Sequence, residues 1–99
     1  MHRFDLVFGN QRTPLVARTT RGALDARASR QAPVGAQLLN ADGVVLATHE
    51  RVSLAHGWIT AWLPTPAWTG DDAPMSVEEL RAALEDEGPV LQLVAGGGR

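Results

Sequence analysis

Apolar and polar residues alternate over residues 3–8, with Phe4, Leu6 and Phe8 on one side of the chain. This period of two is typical of a half-buried β-strand. Glycine and polar residues at 9–11 predict a turn, and the apolar residues 15–17 predict a short returning strand. The chain is therefore expected to begin with a β-hairpin.

Two more apolar runs, 34–39 and 44–49, flank Asn40-Ala41-Asp42-Gly43. Asp-Gly between apolar runs is a strong hairpin signal, because such turns need residues that tolerate positive φ. A turn centred on Asp42-Gly43 would place Leu39 opposite Leu46 and Leu38 near Ala47.

A further strand is predicted at 57–63, where Ile59, Ala61 and Leu63 share one face. Trp58 and Trp62 share the opposite face. Prolines and glycine then predict a loop over residues 64–75.

Two helices are predicted. The first runs over residues 21–31, is capped by Thr19 or Thr20, and ends before Pro33. The second begins after Ser76, which forms a capping box with Glu79, and ends at Gly88. A last strand is expected at 90–95.

The element order β(β)-α-β-β-β-α-β predicts an α+β fold. We expect a mostly antiparallel sheet of about four to five strands with two helices on one face. A ferredoxin-like βαββαβ variant is the first guess for its topology. Residues 1–95 are interpreted as a single domain and residues 96–99 as a flexible tail.

Composition narrows the chemistry. The chain has 99 residues, of which 44% are apolar and 20% charged, as is ordinary for a globular domain. It contains no cysteine, which excludes disulfides and thiolate sites and favours a cytoplasmic location. We expect no secretory signal and no membrane span. All nine basic residues are arginine, a usage that suggests a high-GC bacterial or phage gene.

Charge is distributed unevenly along the chain. Residues 1–40 hold six arginines against two aspartates, whereas residues 71–99 hold seven acidic residues against two arginines. Two interpretations follow. One end of the molecule meets an oppositely charged partner, or the two halves lie together and neutralise each other.

Most of the aromatic surface lies in one segment, where Trp58, Trp62 and Trp68 fall within eleven residues. Exposed tryptophans would form a docking surface for a partner, whereas buried ones would form a second small core under the loop 64–75. Of the three, Trp68 is expected to be the most exposed, because it lies on the proline-rich loop.

A segment rich in arginine, residues 12–30, precedes the hairpin predicted at 34–49 and is called the basic segment. Guanidinium groups bind phosphate, so it is the candidate surface for nucleic acid, although Asp25 is placed to pair with Arg21 and the chain as a whole is acidic. Its members are Arg12, Arg18, Arg21, Arg27 and Arg30.

An acidic set in the C-terminal third is the second candidate docking surface. The acids at the end of the second helix oppose the helix dipole, so a basic partner or an arginine of the first helix would explain them. The acidic candidates are Asp71, Asp72, Glu85, Asp86 and Glu87.

Catalytic and metal-binding chemistry receives little support. His49 and His56 match no metal-ligand spacing, and Ser53 lacks an orienting partner for nucleophilic catalysis. We therefore expect no metal, no cofactor and no catalytic residue.

The leading hypothesis is a small, non-catalytic interaction protein that docks through the tryptophan segment and the acidic helix. An adaptor or a stoichiometric inhibitor fits, including the anti-defence type made by phages and mobile elements. The first alternative is nucleic-acid binding through the basic segment. The second is an enzyme, or an enzyme subunit, whose site is completed by oligomerisation. Another protein is the expected partner, and a homodimer is compatible with the sequence.

Overall fold

The computed structural model describes residues 1–84, and within them five strands form one antiparallel sheet. The strands lie in the order β2-β1-β3-β4-β5. Their bounds are β1 His2–Phe8, β2 Gln11–Ala17, β3 Gln37–Asn40, β4 Val45–Leu54 and β5 Gly57–Pro64. Two short helices, α1 (Thr20–Asp25) and α2 (Arg27–Arg30), precede β3, and residues 77–84 are helical and are called α3.

The predicted α+β class with an antiparallel sheet is confirmed. Helices α1 and α2 connect β2 to β3, and both strands flank β1. The ferredoxin-like order remains a first guess, because its last strand, predicted at 90–95, lies outside the described residues. The predicted helix end at Gly88 and the predicted tail at 96–99 also lie outside them.

The N-terminal hairpin forms as predicted, with longer strands. Gly9 stands first in the two-residue turn between Phe8 and Gln11, with φ of +58°, the sign that a type II′ turn requires. Pro14 lies in the middle of β2, which is tolerated because β2 is an edge strand.

The predicted single helix at 21–31 is instead two helices. Thr19 caps α1, its hydroxyl accepting a hydrogen bond from the Gly22 N–H at 2.9 Å. Ala26 then adopts an extended conformation with ψ of 150°, which ends α1. The buried Ser29 hydroxyl donates to the Ala23 carbonyl at 2.7 Å and thereby joins the two helices across the break.

The β3–β4 hairpin is confirmed, with one change of register. The Asn40 side chain accepts from the backbone N–H groups of Asp42 and Val44 at 2.9 and 3.0 Å, and Gly43 has φ of +83°. A bulge follows, so Leu39 lies opposite Val45 rather than the predicted Leu46.

The capping box of α3 is formed in full. The Ser76 N–H donates to Glu79 Oε1 at 2.9 Å, and the Glu79 N–H donates to the Ser76 hydroxyl at 3.2 Å. The first of these bonds favours the ionised carboxylate and lowers the pKa of Glu79. Further along the helix, Arg81 Nε donates to the Ser53 carbonyl at 3.1 Å, which fixes α3 against the end of β4.

The main core lies between the sheet and α1. It combines Phe4 and Leu38 from the sheet with Leu24 of α1 and with Trp68, which enters from the loop after β5. Burial of these large apolar side chains is the main stabilising contribution.

Candidate docking face on strands β4 and β5

One face of the β4–β5 ribbon carries the aromatic side chains singled out in the sequence. Trp58 lies opposite Ser53, and Thr60 lies opposite Arg51. Trp58 is 59% exposed, and the Arg51 guanidinium stacks over its ring at 4.8 Å from the centroid. The pair forms an exposed cation–π unit near the end of the sheet.

Trp62 lies on the same face, but its side chain packs against the core. Its ring is half-buried against the core and stacks on His49 with 5.1 Å between centroids. Its Nε1 donates to the Ser29 carbonyl at 3.1 Å. The face that carries Trp58 and Trp62 therefore packs on α2, and Ile59, Ala61 and Leu63 lie on the opposite face.

Trp68 is the most buried of the three tryptophans, at 8% exposure, so the prediction that it is the most exposed is wrong. Its Nε1 donates to Asp72 Oδ1 at 3.1 Å. A turn after β5, in which the Trp68 N–H bonds the Thr65 carbonyl at 3.0 Å, directs the ring into the core. An indole with its N–H satisfied at the rim can be buried at little polar cost.

The acidic candidates are divided by the structure. Asp72 is occupied by Trp68 and by the start of α1, where it accepts from the Arg21 N–H at 3.4 Å. Asp71 is exposed on the loop. The remaining three, Glu85, Asp86 and Glu87, lie outside the described residues. Both described acids are exposed, but the Asp72 carboxylate is engaged in hydrogen bonds within the fold.

The basic segment does not form a single patch. Arg12 bonds Asp5 at 2.8 Å on the N-terminal hairpin, and Arg21 lies 3.8 Å from Asp25. Over residues 1–84, no ion pair involves Arg18, Arg27 or Arg30. Arg27 and Arg30 lie on α2, whose Ser29 carbonyl contacts Trp62, so they stand on the side of the sheet that carries Arg51.

Arg51 was not among the residues proposed from sequence. The predicted strand ended at residue 49, whereas β4 continues to Leu54 and brings Arg51 beside the tryptophan strand. Predicting this longer strand, paired with β5 through a turn at residues 55–56, would have identified Arg51 as a cross-strand neighbour of the tryptophans.

His49 and His56, the two histidines considered in the sequence, lie in different surroundings. His49 Nδ1 lies 2.9 Å from the Pro33 carbonyl, and His56 is exposed in the β4–β5 turn. Two clefts of about 520 and 400 Å³ are formed by described residues, and neither is lined by His49 or His56. In the described part of the chain, no three metal-ligating side chains are grouped together.

The outer edge of β5 is the second feature of this site. The His49 N–H and C=O bond Ala36 and Gly35, on the side away from β5. His49 and its neighbour Trp62 are therefore a pair without mutual backbone hydrogen bonds, so the backbone groups of Trp62 point outward. By the same alternation, the backbone groups of Trp58 and Thr60 point outward as well.

No family model matches the chain, and neither the curated proteins nor the solved structures searched gave a match. Among the described residues, no helix has the length and apolar character that crossing a membrane requires.

Proposed function

We propose that this chain is a small, non-catalytic interaction protein that docks onto another protein through the face of β4 and β5. The observation that supports it is the exposed Trp58, held by Arg51 at a position where the core does not need it. Trp62 and Trp68 pack within the fold and are not part of the proposed docking surface. A cytoplasmic adaptor or stoichiometric inhibitor is the form of function we favour, since the chain is small and free of cysteine.

The physical case rests on what an exposed indole contributes at an interface. Tryptophan and arginine are the residues most enriched where binding energy concentrates. The stacking of Arg51 on Trp58 reduces the rotamer freedom of both side chains before a partner arrives, so less entropy is lost on binding. Arg51 also offers guanidinium donors to a carboxylate at the rim of an interface.

The test compares capture by the wild-type chain with capture by Trp58→Ala, using cells of the source organism and quantitative mass spectrometry. Phe8→Ala is the matched control, because Phe8 is an exposed aromatic residue at the end of β1, which is separated from β5 by β3 and β4. We expect Trp58→Ala to lose a specific protein that Phe8→Ala retains, with both variants folded by far-UV circular dichroism. Equal capture by all three proteins would refute the proposal.

A second candidate is single-stranded nucleic acid, favoured by one observation. Arg51 and Trp58 place a guanidinium and an exposed indole together, and Arg27 and Arg30 on α2 stand on the same side of the sheet. Bases stack on such rings, and arginines hold the phosphates.

Binding of a labelled oligonucleotide across a salt series separates the two candidates. Affinity that falls steeply with salt and is lost in Arg51→Gln would support nucleic acid. Absence of binding at low salt would remove this candidate and leave the protein partner.

A further inference from the structure

The two edges of the sheet differ in how they are protected against pairing. On β2, the residues with outward-facing backbone groups are Arg12, Pro14 and Val16, because Gln11 pairs with Phe8 across a two-residue turn. Pro14 has no N–H to offer and Arg12 adds a charge. Proline and charge on an edge strand are the usual means of preventing edge-to-edge association.

Strand β5 has neither protection. Its eight residues include no charged side chain, and its only proline, Pro64, stands at its last position. The outward-facing residues Trp58, Thr60 and Trp62 are all of types that favour β-structure. An uncharged edge strand of this length is a template for another strand.

We infer that the occupant of this edge is β5 of a second copy, paired antiparallel across a two-fold axis through Thr60. In that register Thr60 faces Thr60 of the second copy, and Trp58 faces Trp62. The register is self-complementary because each of these pairs brings outward-facing groups together, so each exchanges both backbone hydrogen bonds. The five strands of the described residues thereby join those of the second copy in a ten-stranded sheet.

Side chains agree with this register. Since a two-fold axis normal to the sheet keeps each face on its own side, Trp58 of one copy lies beside the half-buried Trp62 of the other. Cross-strand aromatic pairs of this kind stabilise antiparallel sheets. No charge on β5 meets its own copy, so like-charge repulsion does not oppose the pairing. The Arg51–Trp58 units of the two copies then stand on one continuous face.

The experiment is sedimentation velocity of the full chain over a concentration series from micromolar to millimolar, with Thr60→Pro and Val16→Pro. Both substitutions remove an outward-facing N–H from an edge strand, so neither removes a hydrogen bond of the monomer's own sheet. We expect a monomer–dimer equilibrium in the wild type. Thr60→Pro should raise the dissociation constant at least tenfold, and Val16→Pro should leave it unchanged.

A cross-linking variant tests the axis directly and does not depend on a disruptive proline. Because the chain has no cysteine, Thr60→Cys gives each molecule a single thiol. Opposed Cα atoms of a hydrogen-bonded antiparallel pair lie about 5.5 Å apart, within the range that a disulfide spans. We expect mild oxidation to cross-link Thr60→Cys rapidly and Ser53→Cys, on the neighbouring strand, slowly.

Three results would overturn the inference. They are a chain that stays monomeric throughout the series, a dimer that Val16→Pro disrupts and Thr60→Pro does not, and equal cross-linking of the two cysteine variants. If the β5 edge instead bound an extended segment of another protein, or the strand predicted at 90–95, the chain would stay monomeric. That outcome is the first of these three results. The proposed docking function is tested separately, because Trp58→Ala capture does not require the dimer.

Discussion

Replacement of Trp68 by alanine should remove a large part of the stability of this fold. Trp68 is buried to all but 8% of its surface and contacts the cluster that contains Phe4, Leu24 and Leu38. A buried tryptophan removes roughly 150–250 Å² from water. At about 25 cal/mol per Å², that burial corresponds to about 4–6 kcal/mol as an upper estimate.

Measured costs of replacing buried aromatic residues by alanine are about 3–5 kcal/mol, which agrees with the area. A domain of this size has a free energy of unfolding of roughly 5–15 kcal/mol. Trp68→Ala should therefore lose at least about a fifth of the total, and most of it if the domain lies at the low end of that range. The assay is urea denaturation followed by far-UV circular dichroism, which does not depend on the fluorescence of the residue removed.

Two control variants separate the contributions. Trp68→Phe keeps most of the ring volume but loses the bond to Asp72, a bond worth about 0.5–1.5 kcal/mol, and should fall between wild type and Trp68→Ala. Trp58→Ala should lose less than half as much as Trp68→Ala, because Trp58 is mostly exposed and leaves no cavity. If Trp58→Ala were as destabilising as Trp68→Ala, the assignment of one tryptophan to the surface and the other to the core would be wrong.

Further predictions concern the local motifs. Asn40→Ala removes the acceptor for two backbone N–H groups of the β3–β4 turn and should cost about 1–3 kcal/mol, measured by urea denaturation. Gly43→Ala should cost about 1–2 kcal/mol in the same assay, since φ of +83° disfavours a Cβ although space is open there. The lowered pKa of Glu79 means that its bond to the Ser76 N–H stabilises α3 fully above the ordinary pKa of a glutamate. That contribution is lost as the pH falls through the lowered pKa, so an acid titration of helicity should be flatter in Glu79→Gln; identical titrations would contradict it.

Local signals predicted much of this fold. The hairpin at Asn40–Gly43 and the Ser76–Glu79 capping box depend on residues within four positions of each other, and both form. The Gly43 N–H bonds the Asn40 carbonyl, so the hairpin turn is centred on Ala41-Asp42 and not on the predicted Asp42-Gly43. The helix break at Ala26 was missed, because no proline or glycine stands there and the break is held by Ser29, whose partner Ala23 lies six residues away.

The tryptophans show where sequence reasoning fails. A proline-rich loop suggests exposure, yet the Thr65 turn and the Asp72 carboxylate place Trp68 in the core. The period of two correctly put Trp58 and Trp62 on one face. It could not tell which face α2 covers, because that depends on the Trp62–Ser29 contact across thirty-three residues.

The account makes β5 the docking element of the molecule, and amide hydrogen exchange by NMR tests that claim most directly. At low protein concentration, the inward-facing amides of Ile59 and Ala61 should be protected by β4, while those of Trp58 and Thr60 should exchange fast. At high concentration, the Trp58 and Thr60 amides should become protected in the wild type, and the Trp58 amide should stay unprotected in Thr60→Pro. Protection of all four amides at every concentration would contradict the account, since the edge would then be closed within one molecule.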